Sequence, residues 1–314
     1  MDFGIILQII LLLIGFACLI KGSDLFVDGA SSIAAILKIP TVIVGLTIVA
    51  LGTSAPEAAV SITSSMTGSN AMAVSNVIGS NMFNLLVVIG VAAVLSELIM
   101  EKEILKKDLP FLVSITILFA AFIIIGWDIS PIEGVVLLLL LAGYIIYLIR
   151  DAGKSGTAGY VEKPKLSLKK SVIFILIGLA GIILGGDLVV DSASAIALAL
   201  GMSETLVGLT IVAIGTSLPE LVTSITALKK GENQLVIGNV IGSNIFNILF
   251  VLGASSAISP IPVDSSILID VVFMVFVTLL CFRFGKTQEK FDKREGAILL
   301  VCFIAYMVFA ILRN

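Results

Sequence analysis

Long runs of apolar residues, separated by short polar or charged breaks, make up most of this chain. A helix that crosses a bilayer needs about 20 mostly apolar residues. On that measure the pattern predicts ten spans, at approximately 3–21, 40–64, 71–96, 110–126, 131–149, 171–190, 204–228, 234–257, 267–283 and 295–312. Apolar positions after Gly22 and after Gly185 predict that the first and sixth helices continue beyond their apolar cores.

Composition places the chain in the membrane class. Of its 314 residues, 59% are hydrophobic and 13% are charged, whereas charged residues make up about 25% of a soluble domain. We therefore predict an all-α polytopic membrane protein with the lipid bilayer as its solvent. The net charge is only -3, so nothing in the charge balance indicates a nucleic-acid partner. No obligatory protein partner is inferred.

The basic residues predict the orientation, because Lys and Arg concentrate in cytoplasmic connections. With the N-terminus outside, 18 of the 19 basic residues fall in inner connections, and only Arg313 falls outside. The inner connections are 21–38, 102–107, 150–170, 229–230 and 283–294. We expect a multi-pass protein of the plasma (inner) membrane, with both termini extracytoplasmic and the central loop cytoplasmic.

The chain repeats itself at an offset of 163 residues. Residues 15–96 match 178–259 without a gap, which covers three spans of each half. The other two spans of each half match less closely, although Glu133 still pairs with Glu295 at an offset of 162.

Each half contains five predicted spans, so the second half must enter the membrane from the opposite side. Inverted repeats of this kind are typical of transporters, with the substrate site near the midplane. We assign 1–150 to the first inverted repeat, 151–170 to a flexible cytoplasmic linker and 171–314 to the second inverted repeat.

Each half carries the same motif, which ends in a single carboxylate. Gly45-Leu-Thr-Ile-Val-Ala-Leu-Gly-Thr-Ser-Ala-Pro-Glu57 returns as Gly208-Leu-Thr-Ile-Val-Ala-Ile-Gly-Thr-Ser-Leu-Pro-Glu220. A charge inside an apolar span is costly and marks a candidate functional site. Glu57 and Glu220 are therefore the first candidate site residues.

Residues around the first glutamate predict a broken helix with several oxygens on one side. Helical spacing places Thr53 and Ser54 on the same face as Glu57. Pro56 cannot donate a backbone hydrogen bond, so the helix is expected to break here. Carbonyls freed at membrane depth must line a cavity, and Ala50 and Thr53 are the expected sources. The second copy provides Ala213, Thr216, Ser217 and Glu220 in the same way.

A second doubled motif adds amides. Asn76-Val-Ile-Gly-Ser-Asn-Met-Phe-Asn84 returns as Asn239-Val-Ile-Gly-Ser-Asn-Ile-Phe-Asn247. Helical spacing puts Asn76, Ser80 and Asn84 on one face, and Asn239, Ser243 and Asn247 on another.

The candidate groups are all oxygens, which suit hard cations such as Ca²⁺ and Na⁺. Histidine is absent, which removes the commonest ligand of transition metals. Cys18, Cys281 and Cys302 lie in apolar runs without metal or redox spacing, so they are interpreted as small core residues. No resident cofactor is predicted.

Two weaker interpretations stand beside the ion site. Small and hydroxylated residues in membrane helices often serve only packing. The pairs Asp24/Asp28 and Asp187/Asp191, also 163 apart, are expected near the inner and outer surfaces. There they would either attract cations to two vestibules or simply be solvated at helix ends.

At these doubled motifs the sequence resembles the cation/calcium exchanger superfamily, and in particular its sodium/calcium exchangers. The resemblance implies ten helices, with the broken second and seventh packed against the third and eighth, and a long first and sixth helix that moves across them. It implies that Ca²⁺ and Na⁺ are the transported ions. By residue-by-residue match it implies these metal ligands: Ala50, Thr53, Ser54, Glu57, Ser80, Asn84, Ala213, Thr216, Ser217, Glu220, Ser243 and Asn247.

We therefore expect a secondary active transporter, not an enzyme, that exchanges Ca²⁺ for Na⁺ by alternating access. Asn247 stands where many sodium/calcium exchangers have Asp, which leaves stoichiometry and K⁺ dependence open. Ca²⁺/H⁺ exchange through Glu57 and Glu220 is the alternative, and K⁺-dependent Na⁺/Ca²⁺ exchange is another. A cation channel would not require inverted repeats. An intramembrane acid protease would need two carboxylates that share a proton, and the surface position expected for Asp187 argues against it.

Overall fold

The protein is almost entirely helical. The computed structural model describes residues 3–68, 70–154, 164–202, 213–263 and 265–313. Its helices are α1 (Phe3–Leu37), α2 (Thr41–Thr53), α3 (Ala55–Met66), α4 (Met72–Leu95), α5 (Ile104–Gly126), α6 (Pro131–Lys154), α7 (Leu168–Ala199), α8 (Ala213–Gly215), α9 (Leu218–Lys229), α10 (Asn233–Ile258), α11 (Ser265–Gln288) and α12 (Lys293–Arg313). Two-residue strands are β1 (Leu98–Ile99), β2 (Asp128–Ile129), β3 (Ile261–Pro262) and β4 (Lys290–Phe291).

Ten-span architecture is reproduced in the described part of the chain with one gap. Eight helices are long and apolar enough to cross a membrane, and α2 and α3 form a ninth span that is bent by 49°. The predicted span 204–228 falls partly on residues outside the described ranges, and its described part is α8 and α9. The proposed division at 151–170 also lies partly outside them and stays a prediction.

The helices α1 and α7 are much longer than a bilayer core requires. They have 35 and 32 residues, or about 52 and 48 Å at 1.5 Å per residue. The predicted continuation of the first and sixth helices is confirmed.

The crossing of α1 and α7 depends on glycine. A Cβ added at Gly22 would lie 2.7 Å from the Gly178 carbonyl oxygen, and one added at Gly178 would lie 2.6 Å from the Phe26 backbone nitrogen. Small residues allow membrane helices to approach this closely. The two backbones are therefore in direct contact.

The helices α4 and α10 form the centre of the molecule. In their most apolar 18-residue windows, 78% of α4 and 94% of α10 are buried, compared with 11% for both α1 and α12. The residues that α4 and α10 present to each other therefore lie away from lipid, while α1 and α12 expose large apolar side chains that suit a hydrocarbon environment.

Short antiparallel strand pairs join the two halves at each end. Leu98 pairs with Phe291, and Ile129 pairs with Ile261. The sequence did not predict these strands. Their pairing agrees with the span count, because the first pair joins connections assigned to one side and the second joins connections assigned to the other. Which end is cytoplasmic stays a prediction.

The weakly matched spans also carry a repeated brace. Tyr144 donates a hydrogen bond to Asp108 at 2.9 Å, and Tyr306 donates one to Asp270 at 2.9 Å. Both residues of the second pair stand 162 positions after their counterparts. Arg313 also forms a bidentate ion pair with Asp270, so the second brace includes a guanidinium group as well as the tyrosine hydroxyl.

Candidate functional site

Both copies of the doubled motif interrupt their helix at the same serine. The bend between α2 and α3 falls at Ser54, whose φ and ψ are -83° and 8°. Ser217 has nearly the same angles, -95° and 6°, immediately before α9. Pro56 lies in the first turn of α3, where a missing N–H costs nothing because that donor has no partner within the helix. The predicted break is confirmed.

The two glutamates lie at the centre, and each is bound by the opposite repeat. Glu57 and Glu220 are both 0% exposed. The Ser217 hydroxyl donates to Glu57 Oε1 at 3.1 Å, and the Ser54 hydroxyl donates to Glu220 Oε1 at 3.1 Å. Helical spacing had grouped Ser54 with Glu57; the bend at Ser54 instead directs its hydroxyl to the other half. The two carboxylates therefore belong to one cluster.

Hydroxyls of the second motif connect to the same cluster. Ser80 donates to Glu57 Oε1 at 3.4 Å. Ser243 lies 3.4 Å from the Thr53 hydroxyl, and Thr53 donates to Asn239 Oδ1 at 3.1 Å.

The mirror contact of Thr53 is present but longer. Thr216 is half-buried and donates to Asn76 Oδ1 at 3.5 Å. Asn76 and Asn239 are themselves held by Ser61 at 2.9 Å and by Ser224 at 3.1 Å. Each asparagine thus links a site threonine to a serine of the threonine's mirror-related repeat.

Four amides meet where α4 and α10 cross. Asn84 Nδ2 donates to Asn244 Oδ1 at 3.2 Å, and Asn247 Nδ2 donates to Asn81 Oδ1 at 3.1 Å. All four side chains are buried. Asn84 lies one helical turn beyond Ser80, so it shares the face that contacts Glu57.

Four buried oxygens of this cluster have no hydrogen-bond partner among the described residues: Glu57 Oε2, Glu220 Oε2, Asn84 Oδ1 and Asn247 Oδ1. Neither glutamate has a cationic side chain as an ion-pair partner in the described ranges. Burying carboxylate oxygens without donors or countercharge is costly. A cation that accepts all four as ligands would remove that cost.

The two alanines contribute through their backbone. The Ala50 carbonyl accepts the Ser54 N–H at 3.0 Å and also lies 3.5 Å from the Thr53 hydroxyl, which can donate to it. Ala213 opens α8, and the Ser217 N–H donates to Ile214 at 3.2 Å. The side chain of Ala213 lies outside the description.

The structure brings together the polar residues that the sequence singled out. All are buried except Thr216, and each contacts at least one residue of the other repeat or a glutamate of its own: Thr53, Ser54, Glu57, Ser80, Asn84, Thr216, Ser217, Glu220, Ser243 and Asn247. Sequence reasoning placed Asn76 and Asn239 on the candidate faces without naming them as ligands, and it did not single out the supporting residues Ser61, Asn81, Ser224 and Asn244. Their recurrence at an offset of 163 was the available signal.

Wide helical turns adjoin the cluster and were not predicted. Gly45–Val49, Asn84–Val88 and Asn247–Leu252 are π-helical. Turns of this kind are rare and are often found at functional sites. Here two of them begin at the site asparagines themselves.

Polar contacts tie α1 to α9 at one end of the molecule. The Ser23 and Thr223 hydroxyls are 3.2 Å apart and buried. Lys230 Nζ lies 2.9 Å from Asp28 Oδ1 and 3.6 Å from Asp24 Oδ1, and it donates to the Asp24 carbonyl at 2.7 Å. We call these five residues the clamp. Asp24 and Asp28 are thus ion-paired rather than simply solvated.

The clamp has no counterpart among the described residues at the mirror-related positions. Positions 163 residues away from Ser23, Thr223 and Lys230 hold Gly186, Val60 and Thr67. Gly186 and Val60 have no hydroxyl to replace the contact between Ser23 and Thr223. Thr67 has no charge for an ion pair, and its hydroxyl donates to the carbonyls of Thr63 and Ser64. Asp187 and Asp191 are exposed.

Comparison with known proteins finds matches along nearly the whole chain. A profile of the family described as sodium/calcium exchanger protein matches residues 7–150 and 170–312. A protein named antiporter CaxA from Alkalimonas amylolytica is 40% identical over 312 residues, which cover 95% of this chain and 96% of that protein. The sodium/calcium exchanger MaX1 from Methanosarcina acetivorans is 31% identical, with 97% and 98% covered.

Solved structures of the sodium-calcium exchanger NCX_Mj have the same fold. One of them, soaked with Na⁺ and Ca²⁺, superposes with a TM-score of 0.86 at 33% identity and covers 96% of this chain and 98% of that one. The architecture of two repeats around a central helix pair is therefore shared with a known exchanger.

Proposed function

The chain belongs to the sodium/calcium exchanger protein family and is a multi-pass membrane transporter, and we propose that it exchanges Ca²⁺ for Na⁺ at the cluster around Glu57 and Glu220. The observation that carries the proposal is the set of four buried oxygens, two from each repeat, that have no donor within the described part of the chain. Carboxylate and amide oxygens are the ligands that Ca²⁺ prefers. Both ions would compete for the same oxygens.

Two kinds of oxygen, hydroxyl and backbone carbonyl, are available to complete the coordination. The hydroxyls of Ser54, Ser80 and Ser217 already contact the carboxylates. The Ala50 carbonyl accepts the Ser54 N–H and meets the Thr53 hydroxyl at 3.5 Å, a long contact that an ion would replace. Ca²⁺ takes 6–8 oxygen ligands, so the unpartnered carboxylate and amide oxygens need such neighbours. The twelve residues predicted from the sequence are proposed as this ligand set.

Charge explains why transport would be coupled. With both glutamates ionised, an empty site would carry two negative charges into a region of low dielectric, at a cost of several kcal/mol. Ca²⁺ brings the total to zero. Three Na⁺, the number that family resemblance implies, bring it to about +1. Exchange would then move charge and respond to voltage by about 2.3 kcal/mol per charge per 100 mV.

Alternating access would use the two halves in turn. In the described structure the clamp joins α1 to α9 at the end that the basic residues assign to the cytoplasm. We propose that this is the state closed toward the inside. A movement of α1 and α7 as one glycine-packed pair would break the clamp and open that side.

Proton exchange is the second candidate, and one observation favours it. Glu57 and Glu220 are buried without a cationic partner among the described residues, so each would also be neutralised by a proton. K⁺-dependent Na⁺/Ca²⁺ exchange is a further alternative because Asn247 removes a carboxylate that many relatives have. All three couplings use the same glutamates, so mutation of these residues cannot separate them.

Flux in reconstituted vesicles separates the couplings. Vesicles are loaded with Na⁺ and diluted into ⁴⁵Ca²⁺ without Na⁺, with proton ionophore present; we expect rapid uptake. Parallel arms replace the Na⁺ gradient by a pH gradient, or add K⁺ to one side. Uptake in the pH arm alone would establish proton exchange, and uptake that needs both Na⁺ and K⁺ would establish the K⁺-dependent form. Uptake that does not depend on a gradient of Na⁺, H⁺ or K⁺ would indicate a channel.

A further inference from the structure

The amide quartet at the crossing of α4 and α10 contains two asparagines that have no assigned role. Asn81 and Asn244 stand three residues before the proposed ligands Asn84 and Asn247. Both are buried, with 2% and 0% exposed. Most buried polar side-chain atoms have a hydrogen-bond partner, and at membrane depth an unpartnered one is costly, so the contacts of these two amides need an explanation.

Each of the two asparagines reaches the backbone of the other. Asn81 Nδ2 donates to the Asn244 carbonyl at 3.5 Å, and Asn244 Nδ2 donates to the Asn81 carbonyl at 3.5 Å. A backbone carbonyl can only accept, so the nitrogen of each side chain must face it. The direction of both amides is thereby determined by the backbone.

The fixed amide orientation of Asn81 and Asn244 determines the amide orientation of the proposed ligands. With its nitrogen engaged, Asn81 presents Oδ1 to Asn247, which can approach it only with Nδ2, at 3.1 Å. In the same way Asn244 presents Oδ1 to Asn84 Nδ2 at 3.2 Å. An amide whose nitrogen is held on one side must direct its oxygen to the other side. The oxygens left over are Asn84 Oδ1 and Asn247 Oδ1, and both lack a partner among the described residues.

We infer that Asn81 and Asn244 are positioning residues that hold the amides of Asn247 and Asn84 with their oxygens toward the transported cation. Without them, either ligand amide is free to rotate by half a turn and present N–H groups, which a cation repels. The arrangement is crossed, because Asn81 orients the ligand of the second repeat and Asn244 that of the first. The inference rests on the proposed function, since it needs a cation at this cluster.

A double-mutant cycle tests the crossed pairing. Binding of ⁴⁵Ca²⁺ to the purified full-length protein is measured without Na⁺ for Asn81→Ala, Asn247→Ala, Asn84→Ala and the two double variants that contain Asn81→Ala. We expect Asn81→Ala alone to weaken binding about five- to tenfold. In the Asn247→Ala background it should cause no further loss, because the amide that it orients is gone. In the Asn84→Ala background, Asn81→Ala should again weaken binding as much as it does in the wild type, because Asn247, the residue that Asn81 orients, is still present.

Three outcomes decide the inference. Equal losses in both backgrounds would mean that Asn81 acts only through helix packing, and no loss in the wild-type background would mean that it orients nothing; either overturns the inference. Absence of Ca²⁺ binding by the wild-type protein would instead overturn the proposed function. If Asn81→Ala is not recovered as a monodisperse protein, the mirror cycle of Asn244→Ala with Asn84→Ala and Asn247→Ala makes the same test, with the two backgrounds exchanged.

Discussion

Ser54 donates a hydrogen bond across the repeat boundary to Glu220, with 3.1 Å between Oγ and Oε1, and Ser217 does the same to Glu57 at the same distance. Each half of the chain therefore completes the carboxylate of the other. Since neither half contains a complete set of contacts, the site exists only when the repeats are packed together.

Removal of either serine hydroxyl should weaken Ca²⁺ binding. Ser54→Ala and Ser217→Ala each delete one donor to a buried carboxylate, a bond worth about 1.5–3 kcal/mol. We expect the apparent KM for Ca²⁺ in Na⁺-driven uptake to rise about tenfold or more in both variants. Ser114→Ala is the matched control, because Ser114 is exposed and bonds only within its helix, to Pro110. An unchanged KM in both site variants would contradict the crossed arrangement.

The glycine contact between α1 and α7 should not tolerate a methyl group. Gly22→Ala would place Cβ 2.7 Å from the Gly178 carbonyl oxygen, and backbone cannot yield as a flexible side chain does. We expect destabilisation by about 1–3 kcal/mol, measured as a lower midpoint of thermal unfolding in detergent.

The control for that substitution is Gly143→Ala. Gly143 lies in α6, and a Cβ there has nothing within 4 Å. Alanine favours a helix over glycine by about 1 kcal/mol, so this variant should be as stable as the wild type or more stable. If both variants unfold at the wild-type temperature, α1 and α7 are not in close contact.

The clamp should bias the protein toward one state. Lys230→Ala removes an ammonium from Asp24 and Asp28; since these groups are partly exposed, the effect should be about 1 kcal/mol or less. We expect hydrogen exchange to increase in the second half of α1 and in α9, and not in α7. Lys229→Ala is the control for a general effect of charge, because it removes an exposed lysine next in sequence to Lys230. This substitution should leave the hydrogen-exchange pattern unchanged. Equal hydrogen exchange in the wild type and in Lys230→Ala would show that the ion pairs of Lys230 with Asp24 and Asp28 do not stabilise the position of α1.

Much of the fold was readable because membrane spans and repeats leave strong signals. Apolar runs located the helices to within a few residues, as with α4 and α10. The doubled motif with Pro56 predicted the broken helix, since a missing backbone donor has a local consequence. Buried oxygens around Glu57 and Glu220 followed from the cost of placing charge in an apolar span.

What escaped prediction depends on contacts between distant parts of the chain. Local spacing grouped Ser54 with Glu57, whereas tertiary packing joins Ser54 to Glu220. Pairing of Lys230 with Asp28 joins residues about 200 positions apart, and no local pattern specifies it. The brace between Asp108 and Tyr144 joins two different helices, and local spacing does not specify which of their residues meet.

Exchange by the two glutamate variants tests the central claim most directly. Na⁺-gradient-driven ⁴⁵Ca²⁺ uptake is measured in proteoliposomes for Glu57→Gln, Glu220→Gln and the exposed control Glu103→Gln. If two buried carboxylates, one from each repeat, jointly hold the ion, uptake is lost in both site variants and kept in the control. Wild-type uptake by either site variant would contradict the account.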